Sequence, residues 1–217
     1  VFSLIDRQGR YAYDNQPNVA LWNLARFAET LLPLLAATTE EAVAVAEEEL
    51  DRFATLYATA YLDGFRAKLG LANVAADDAS LVEDLLRWMH QASADFMVFF
   101  HGLAAVLEGG STRGLLDAAG VALSAEPGLL HWMSRWQARR AAEDVTDAAA
   151  AVRLRSVNPA VVARNHLVEE SIAAAETEGN LEPARALLAA LAQPFMLPLA
   201  EPDRKSTRLN SSHIPLS

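Results

Sequence analysis

The sequence predicts an all-α protein, an irregular multi-helix bundle with about seven helices. Apolar residues recur at helical spacing from Pro17 to Leu191, and no strand-like alternation follows Tyr13. Glycines and prolines stand where this pattern is interrupted, which divides it into separate helices. We expect no sheet beyond a single strand near the start of the chain.

The composition limits the possible functions. The chain has 217 residues, 52% of them hydrophobic, which is enough for a domain with a buried core. Its net charge of −10 argues against general nucleic-acid binding, which requires a basic surface. The chain contains no Cys, so disulfides and thiolate metal sites are excluded. No apolar run is suited to a membrane span, and Arg7 and Arg10 interrupt any secretory signal pattern. We therefore expect neither nucleic acid nor membrane among its partners.

The first helix is predicted over residues 17–32. Pro17 suits the first turn of a helix, where its missing N–H is not needed, and Pro33 ends the pattern. Apolar residues cover more than half of the circumference of this helix, so we expect it to be buried on more than one side. They are Val19, Ala20, Leu21, Trp22, Leu24, Ala25, Phe27, Ala28, Leu31 and Leu32.

The next two predicted helices are long. The second is predicted over residues 39–69, with Gly70 as a glycine stop at its C-terminus. The third is predicted to run without a break over residues 80–107. Ser80 and Glu83 have the spacing of a capping box, in which each side chain bonds a backbone N–H at the start of the helix.

Shorter helices are predicted in the second half of the chain. The Asn158-Pro159 pair breaks the helical pattern, and Pro159 is predicted to start a new helix that Asn158 caps. Gly179 is predicted to end that helix. The predicted ranges are 112–119, 129–143, 146–157 and 160–178, and a last helix is predicted to begin at Pro183 and to end before Pro194.

Both ends of the chain depart from the rest. Val1 stands where a complete protein has Met, and residues 1–202 contain a single lysine, Lys68. From Asp203 to His213 the sequence resembles one translated frame of a common sequencing adapter. We therefore expect residues 1–202 to be one helical region truncated at its N-terminus, and residues 203–217 to be a non-native tail.

No residue pattern indicates a catalytic or metal site. The histidines are scattered, and no two of them have the spacing of zinc ligands on one helix. These are His90, His101, His131, His166 and, in the tail, His213. Three acidic runs are candidate acid–base pairs or Mg²⁺ ligands, although such runs are more often solvated surface. These are Glu47 to Glu49, Asp77-Asp78 and Glu169-Glu170. We therefore predict no catalytic, no cofactor-binding and no metal-binding residue in this chain.

Two other groups are candidate ligand contacts. Trp132 and Trp136 lie one helical turn apart and could stack on a nucleobase, with Arg139 and Arg140 next to them for an anion. Aromatic residues at helical spacing are more often part of a core. Around Arg164 the structural interpretation is again favoured, with the guanidinium paired to a carboxylate or to a carbonyl at a helix end. A phosphate-binding loop is not expected, because Gly109 to Thr112 lacks the lysine and the preceding strand.

Several short motifs are spread along the chain. They are Gly9-Arg10-Tyr11, Gln16-Pro17, Trp22-Asn23-Leu24 with Arg26, Arg66 to Leu71, Asp95-Phe96, Ser156 to Pro159, Arg164-Asn165 and Gln193-Pro194-Phe195. In these motifs the chain resembles the selenoprotein O family, protein adenylyltransferases with a kinase-like fold. The resemblance runs from about Asp6 to Phe195. Met97 and His101 depart from it, since the family usually has Thr and Arg there.

The resemblance implies an enzyme that binds ATP and Mg²⁺ and transfers AMP to Ser, Thr or Tyr hydroxyls of proteins. The family's nucleotide-binding and metal-binding residues belong to motifs N-terminal to the matched segment. No such residue is carried onto this sequence, so we expect this chain alone to bind no ATP or Mg²⁺ and to be inactive. The resemblance also implies three further points: a missing N-terminal kinase-like lobe as partner, protein substrates of the full-length enzyme, and a bacterial cytoplasmic location.

Two functional hypotheses follow. In the first, the chain is the C-terminal helical part of an AMP-transferring enzyme. In the second, it is a non-catalytic, all-helical interaction or scaffold module. The first hypothesis predicts that the apolar arc of the first helix is left partly exposed, beside Tyr11, Tyr13 or Trp22, where the missing lobe would cover it.

Overall fold

The computed structural model describes Gly9, Arg10, Ala12 and residues 15–196, and in this part of the chain it is all-α. The predicted fold class is confirmed: the described residues form nine α-helices and one short 3-10 helix, without a strand. The helices are α1 (Gln16–Leu35), α2 (Thr39–Lys68), α3 (Asp78–Ala92), α4 (Phe96–Leu107), α5 (Thr112–Ala118), α6 (Glu126–Ala141), α7 (Asp147–Val157), α8 (Asn165–Glu178) and α9 (Glu182–Leu191). The predicted strand near the start, Tyr11, Tyr13 and the tail over 203–217 lie outside the described residues.

The described residues divide into two compact units. The first contains the described residues up to Arg66 together with Ala75–Gln91, and so includes α1 and most of α2 and α3. The second contains Ala67–Val74 and residues 92–196, and so includes the end of α2 and the helices from α4 to α9. Within the described part of the chain, every helix is too short or too polar to cross a bilayer.

Helix α1 is exposed, whereas the sequence predicted a buried helix. Pro17 lies in its first turn as predicted, but the helix continues through Pro33 to Leu35. A proline in the last turns removes only one backbone hydrogen bond, so a short continuation past it is tolerated. None of the residues of α1 is buried, and the side chains of Trp22 and Phe27 are 51% and 60% exposed. The predicted burial on more than one side is therefore wrong for this chain.

An ion pair connects the end of α2 with the start of α3 in the first unit. Arg66 lies 3.5 Å from the carboxylate of Asp78, and both side chains are buried. Asp78 also accepts a hydrogen bond of 2.9 Å from the backbone N–H of Ala75. The predicted capping box is not formed, because α3 begins at Asp78 and the Ser80 hydroxyl donates to the carbonyl of Asp77 instead. The buried carboxylate of Asp78 thus organises this helix start.

The predicted helix over residues 80–107 is two helices, α3 and α4. Ser93 adopts a left-handed conformation with φ of 51°, which interrupts the helix. Asp95 then serves as the N-cap of α4: its carboxylate accepts a hydrogen bond of 3.1 Å from the N–H of Val98. The N–H of Asp95 donates to the carbonyl of Ala119, 3.0 Å away. The apolar spacing continues across this break, so periodicity alone did not reveal it.

The core of the second unit is built from α4, α5, α6 and α7. Helix α4 packs on α7 and α5, and α5 also packs on α6. Phe99 meets Trp132 edge to face with the ring centres 6.3 Å apart, and Trp132 stacks on Trp136 at 5.8 Å. Such aromatic pairs add packing energy to the burial of their rings. The backbone around α4 is therefore held on several sides, which fixes the side chains at its start.

The predicted helix over residues 160–178 begins later, at Asn165. The N–H groups of Ala160 and Val161 both donate to the carbonyl of Pro194, at 2.7 and 3.1 Å. These donors are satisfied outside a helix, so the segment before Asn165 remains non-helical. Helix α8 ends as predicted at Gly179, which has φ of 64°. It packs on α9, and the two form the C-terminal pair of the second unit.

Candidate functional site

Residues from three of the motifs singled out in the sequence meet in the second unit. We define the Lys68 cluster as Lys68, Phe96, Phe100, His101 and Asn158. Lys68 is the last residue of α2, the aromatic residues and His101 lie on the first two turns of α4, and Asn158 ends α7. Gly70, with φ of 71°, turns the chain away directly after Lys68, as predicted.

Asn158 joins the ends of α2 and α7. Its side chain is almost completely buried, and its amide nitrogen donates to the carbonyl oxygen of Lys68 over 2.9 Å. The amide oxygen faces Lys68 Nζ at 3.4 Å, and the backbone N–H donates to the carbonyl of Leu154. The prediction that Asn158 caps a following helix is wrong. Its amide instead satisfies a helix-end carbonyl of α2, one of the groups that a helix leaves unpaired.

Lys68 places its ammonium group in an apolar environment. Nζ lies 5.6 Å from the ring centres of both Phe96 and Phe100, within the range of a cation–π contact. Among the described residues, no carboxylate forms a salt bridge with it. Burial lowers the pKa of the Lys68 amine, because removal from water disfavours its charged form.

His101 closes the Lys68 cluster on the α4 side. Its Nδ1 lies 3.2 Å from the carbonyl oxygen of Asn158. A carbonyl oxygen only accepts hydrogen bonds, so Nδ1 carries the proton in this contact. The residue that departs from the family pattern therefore makes a specific contact with the backbone of Asn158, whose side chain is the most buried polar side chain of the cluster.

An ion pair lies next to the Lys68 cluster. A carboxylate oxygen of Asp95 accepts a hydrogen bond of 2.7 Å from Arg164, and both side chains are only 14% exposed. The other carboxylate oxygen caps α4. Arg164 was predicted to pair with a carboxylate or a helix-end carbonyl, and the carboxylate is the partner. The pair links the start of α4 to the start of α8.

A second buried carboxylate holds the loop that follows α2. Glu143 accepts hydrogen bonds from the N–H groups of Ala72 and Asn73, at 2.8 and 3.0 Å, and from Arg139 at 2.8 Å. Burial acts to raise the pKa of Glu143, but these donors outweigh it and the pKa is lowered. Trp136 supports the same loop, because its indole N–H donates to the carbonyl of Leu69 over 3.0 Å.

The other candidate residues have structural or surface roles. Trp132 and Trp136 are buried and stack on each other, so neither presents a face to a nucleobase. Arg139 bonds Glu143 and the carbonyl of Asn73, and Arg140 bonds Asp147. The acidic runs at Glu47 to Glu49 and at Glu169-Glu170 are exposed, while Asp78 is buried in its ion pair. His90 and His131 are exposed as well.

Comparison with known proteins identifies the family. The family model described as Protein adenylyltransferase SelO matches residues 2–192. The chain belongs to the SelO family. The SelO motifs around Asn158, Arg164 and Pro194 are the ones that the structure brings together, through the Lys68 cluster, the ion pair with Asp95 and the Pro194 carbonyl.

Curated relatives carry a corresponding name. Protein nucleotidyltransferase YdiU of Geobacillus kaustophilus is 44% identical over 195 residues, covering 90% of this chain and 38% of the relative. The protein of that name from Cereibacter sphaeroides is 47% identical over 197 residues, with the same coverage of 90% and 38%. The protein of that name from Rhizobium rhizogenes is 41% identical over 215 residues, which cover 96% of this chain and 42% of the relative. This SelO chain therefore spans well under half the length of these relatives.

The described residues of this SelO chain are not arranged in a way that fits a Mg²⁺ ion. A magnesium site needs several oxygen ligands around one position. Within the described ranges, no group of three or more His, Asp or Glu side chains is arranged to hold a metal. Asp78, the one fully buried aspartate among the described residues, is already paired with Arg66 and bonded to a backbone N–H.

Sequence reasoning did not identify the Lys68 cluster as a site. Lys68 and Asn158 are 90 positions apart, so no local spacing relates them. One signal was available: Lys68 is the only lysine in residues 1–202, in a region that otherwise uses arginine as its strong base. A lysine changes its pKa on burial much more readily than an arginine does. The isolated choice of lysine is consistent with its half-buried position.

Proposed function

We propose that this chain is the C-terminal helical part of a SelO protein adenylyltransferase. The whole enzyme transfers AMP from ATP to Ser, Thr or Tyr hydroxyls of protein substrates. The family match over residues 2–192 carries this proposal, and the names of the relatives support it. In the reaction, the hydroxyl oxygen of the substrate forms a bond to the α-phosphorus of ATP. The bond between that phosphorus and the oxygen that bridges it to the β-phosphorus breaks. Pyrophosphate leaves, and the hydroxyl proton passes to a base.

In this proposal, ATP and Mg²⁺ bind to a kinase-like lobe outside this chain. Nucleotidyl transfer depends on positioned metal ions and cations, and the described residues offer no metal-ligand group. The role of this chain is structural: its helices support that lobe, with the Asp95–Arg164 pair and Asn158 fixing the ends of four helices. The partners are therefore the catalytic lobe and the protein substrates, and the location is the bacterial cytoplasm.

The test compares the full-length protein with the 217-residue chain. We expect the full-length protein to transfer radioactive AMP from α-labelled ATP to protein, and the isolated chain to transfer none. Isothermal calorimetry should detect Mg²⁺-dependent ATP binding only for the full-length protein. Micromolar ATP binding by the isolated chain would contradict the assignment of the nucleotide site. A full-length protein without AMP transfer would instead favour the interaction-module hypothesis.

A further inference from the structure

We propose that Lys68 is a covalent modification site, acylated at Nζ by small activated acyl donors of the acyl phosphate class. This proposal is independent of the AMP-transfer function. It rests on the position of the Lys68 amine, which is half-buried between two phenyl rings and one amide oxygen.

Among the described residues, the surroundings of Nζ supply a weak acceptor and no counter-charge. The Asn158 amide oxygen lies 3.4 Å away, at the long end of a hydrogen bond, and the rings of Phe96 and Phe100 lie at 5.6 Å. Two rings offer less stabilisation to an ammonium than water or a carboxylate would. Among the described carboxylates, Asp95 is the nearest to this aromatic pair along the chain. It is already bonded to Arg164. The Lys68 cluster therefore favours the neutral amine more than bulk water does.

A neutral amine is the nucleophilic form of lysine. Burial lowers the pKa of Lys68, so its amine is uncharged in a larger fraction of the protein molecules near neutral pH. The nitrogen lone pair attacks the carbonyl carbon of the acyl phosphate, and a C–N bond forms. The C–O bond to phosphate breaks, inorganic phosphate leaves with the electron pair, and the proton released by the nitrogen passes to water.

The product suits the same environment. An acylated lysine is a neutral amide that keeps one N–H, which can still donate to Asn158, and its charge no longer has to be desolvated. The acyl group adds apolar surface next to Phe96 and Phe100. Modification therefore removes the charge of Lys68 without removing its hydrogen bond to Asn158.

The chain contains its own control, because Lys205 is its only other lysine. The 217-residue chain is incubated with acetyl phosphate at a series of pH values from about 6.5 to 10.5, a range that spans the usual lysine pKa. Initial acetylation rates at Lys68 and Lys205 are read from the same samples by peptide mass spectrometry. We expect the rate at Lys68 to reach half of its plateau at a lower pH than the rate at Lys205. Equal midpoints, or no acetylation of Lys68, would overturn the proposal.

A substitution tests the role of the surroundings. Asn158→Asp places a carboxylate beside Nζ with little change of shape, so the Lys68 midpoint should rise by about one pH unit or more. Asn180→Asp makes the same change at an exposed position and should leave the midpoint unchanged. Circular dichroism verifies that both variants are folded. If Asn158→Asp does not fold, the comparison of Lys68 with Lys205 in the unchanged chain still decides the proposal.

Discussion

At the level of single residues, three buried or largely buried carboxylates of the described chain are matched by specific partners. A buried charge costs free energy unless a partner and hydrogen bonds compensate it. Asp78 has Arg66 and a backbone N–H, Glu143 has Arg139 and two backbone N–H groups, and Asp95 has Arg164 and a helix N-terminus. Each carboxylate thereby fixes a chain segment adjoining a helix, and each should be sensitive to loss of its partner.

The Asp95–Arg164 pair allows a direct test. Arg164→Met removes the charge but keeps much of the side-chain length, so a largely buried Asp95 loses its counter-charge. We expect the free energy of unfolding to fall by about 3 kcal/mol. Arg185→Met removes an arginine from an exposed pair with Glu182, where both side chains are more than 65% exposed, and should cost less than about 1 kcal/mol. Urea denaturation measures both, and equal losses would contradict a special role for Arg164.

Glu143 predicts a pH dependence of stability. Its pKa in the folded chain lies below that of the unfolded chain, so its stabilising effect is fully present above the unfolded value, about 4.3. The effect is lost as the pH falls through the lower, folded value. Glu143→Gln removes this contribution and should cost about 2 kcal/mol at neutral pH, because hydrogen bonds to a charge are lost.

The measurement for Glu143 is urea denaturation at neutral pH and at acidic values. The difference between the original chain and Glu143→Gln should shrink on acidification, since the protonated carboxyl resembles the amide. Glu48→Gln changes an exposed residue and serves as control. A difference that stays constant down to acidic pH would show that Glu143 does not act through its charge.

At the scale of helices, two glycine stops differ in their surroundings. Gly70 and Gly179 both have positive φ, at 71° and 64°. A Cβ at position 70 would lie 3.2 Å from a side-chain carbon of the buried Leu154, whereas a Cβ at position 179 would meet no atom within 4 Å. Gly179→Ala should therefore cost about 1 kcal/mol for the left-handed conformation alone. Gly70→Ala should cost about 1 kcal/mol more, because Leu154 must move.

Thermal and urea unfolding of the two glycine variants provide the comparison. The larger loss is expected for Gly70→Ala, which also disturbs the chain directly after Lys68. Equal losses would mean that Leu154 adjusts without cost. The double variant Gly70→Ala with Leu154→Ala, compared with Leu154→Ala alone, separates crowding from backbone strain, because alanine lacks the γ-carbon that a Cβ at position 70 would crowd.

Helix ends set by local backbone chemistry were predictable, whereas those set by distant partners were not. Pro17, Gly70 and Gly179 act through their own φ preferences, and each stands where the sequence predicted. The breaks before Asp95 and Asn165 instead involve hydrogen bonds to carbonyls far along the chain, those of Ala119 and Pro194. The carboxylate partner of Arg164 was foreseen in kind, but the meeting of Lys68 with Asn158 depends on tertiary packing.

At the scale of the whole molecule, α1 carries several large apolar side chains that are more than a third exposed. We define the α1 apolar patch as its exposed large apolar residues, Trp22, Leu24, Phe27, Leu34 and Leu35. Single exposed apolar residues are ordinary, but several on one helix favour association. The family relatives are much longer than this chain, which covers 38% of the Geobacillus kaustophilus protein. We expect the α1 apolar patch to contact a part of the full-length protein outside this chain.

The isolated 217-residue chain should therefore self-associate and bind a hydrophobic dye. Each Å² of apolar surface removed from water contributes about 25 cal/mol, so pairing of two patches is favourable. Replacing Trp22 and Phe27 by Ser should reduce both association and dye binding, measured by light scattering and fluorescence. Replacing Leu188 by Ser, an exposed residue of α9, should change neither.

The full-length protein should bind less dye for each copy of α1, because its other region covers the patch. An isolated chain that is monomeric, folded and without dye binding would mean that the patch needs no partner, and the interaction-module hypothesis would gain support.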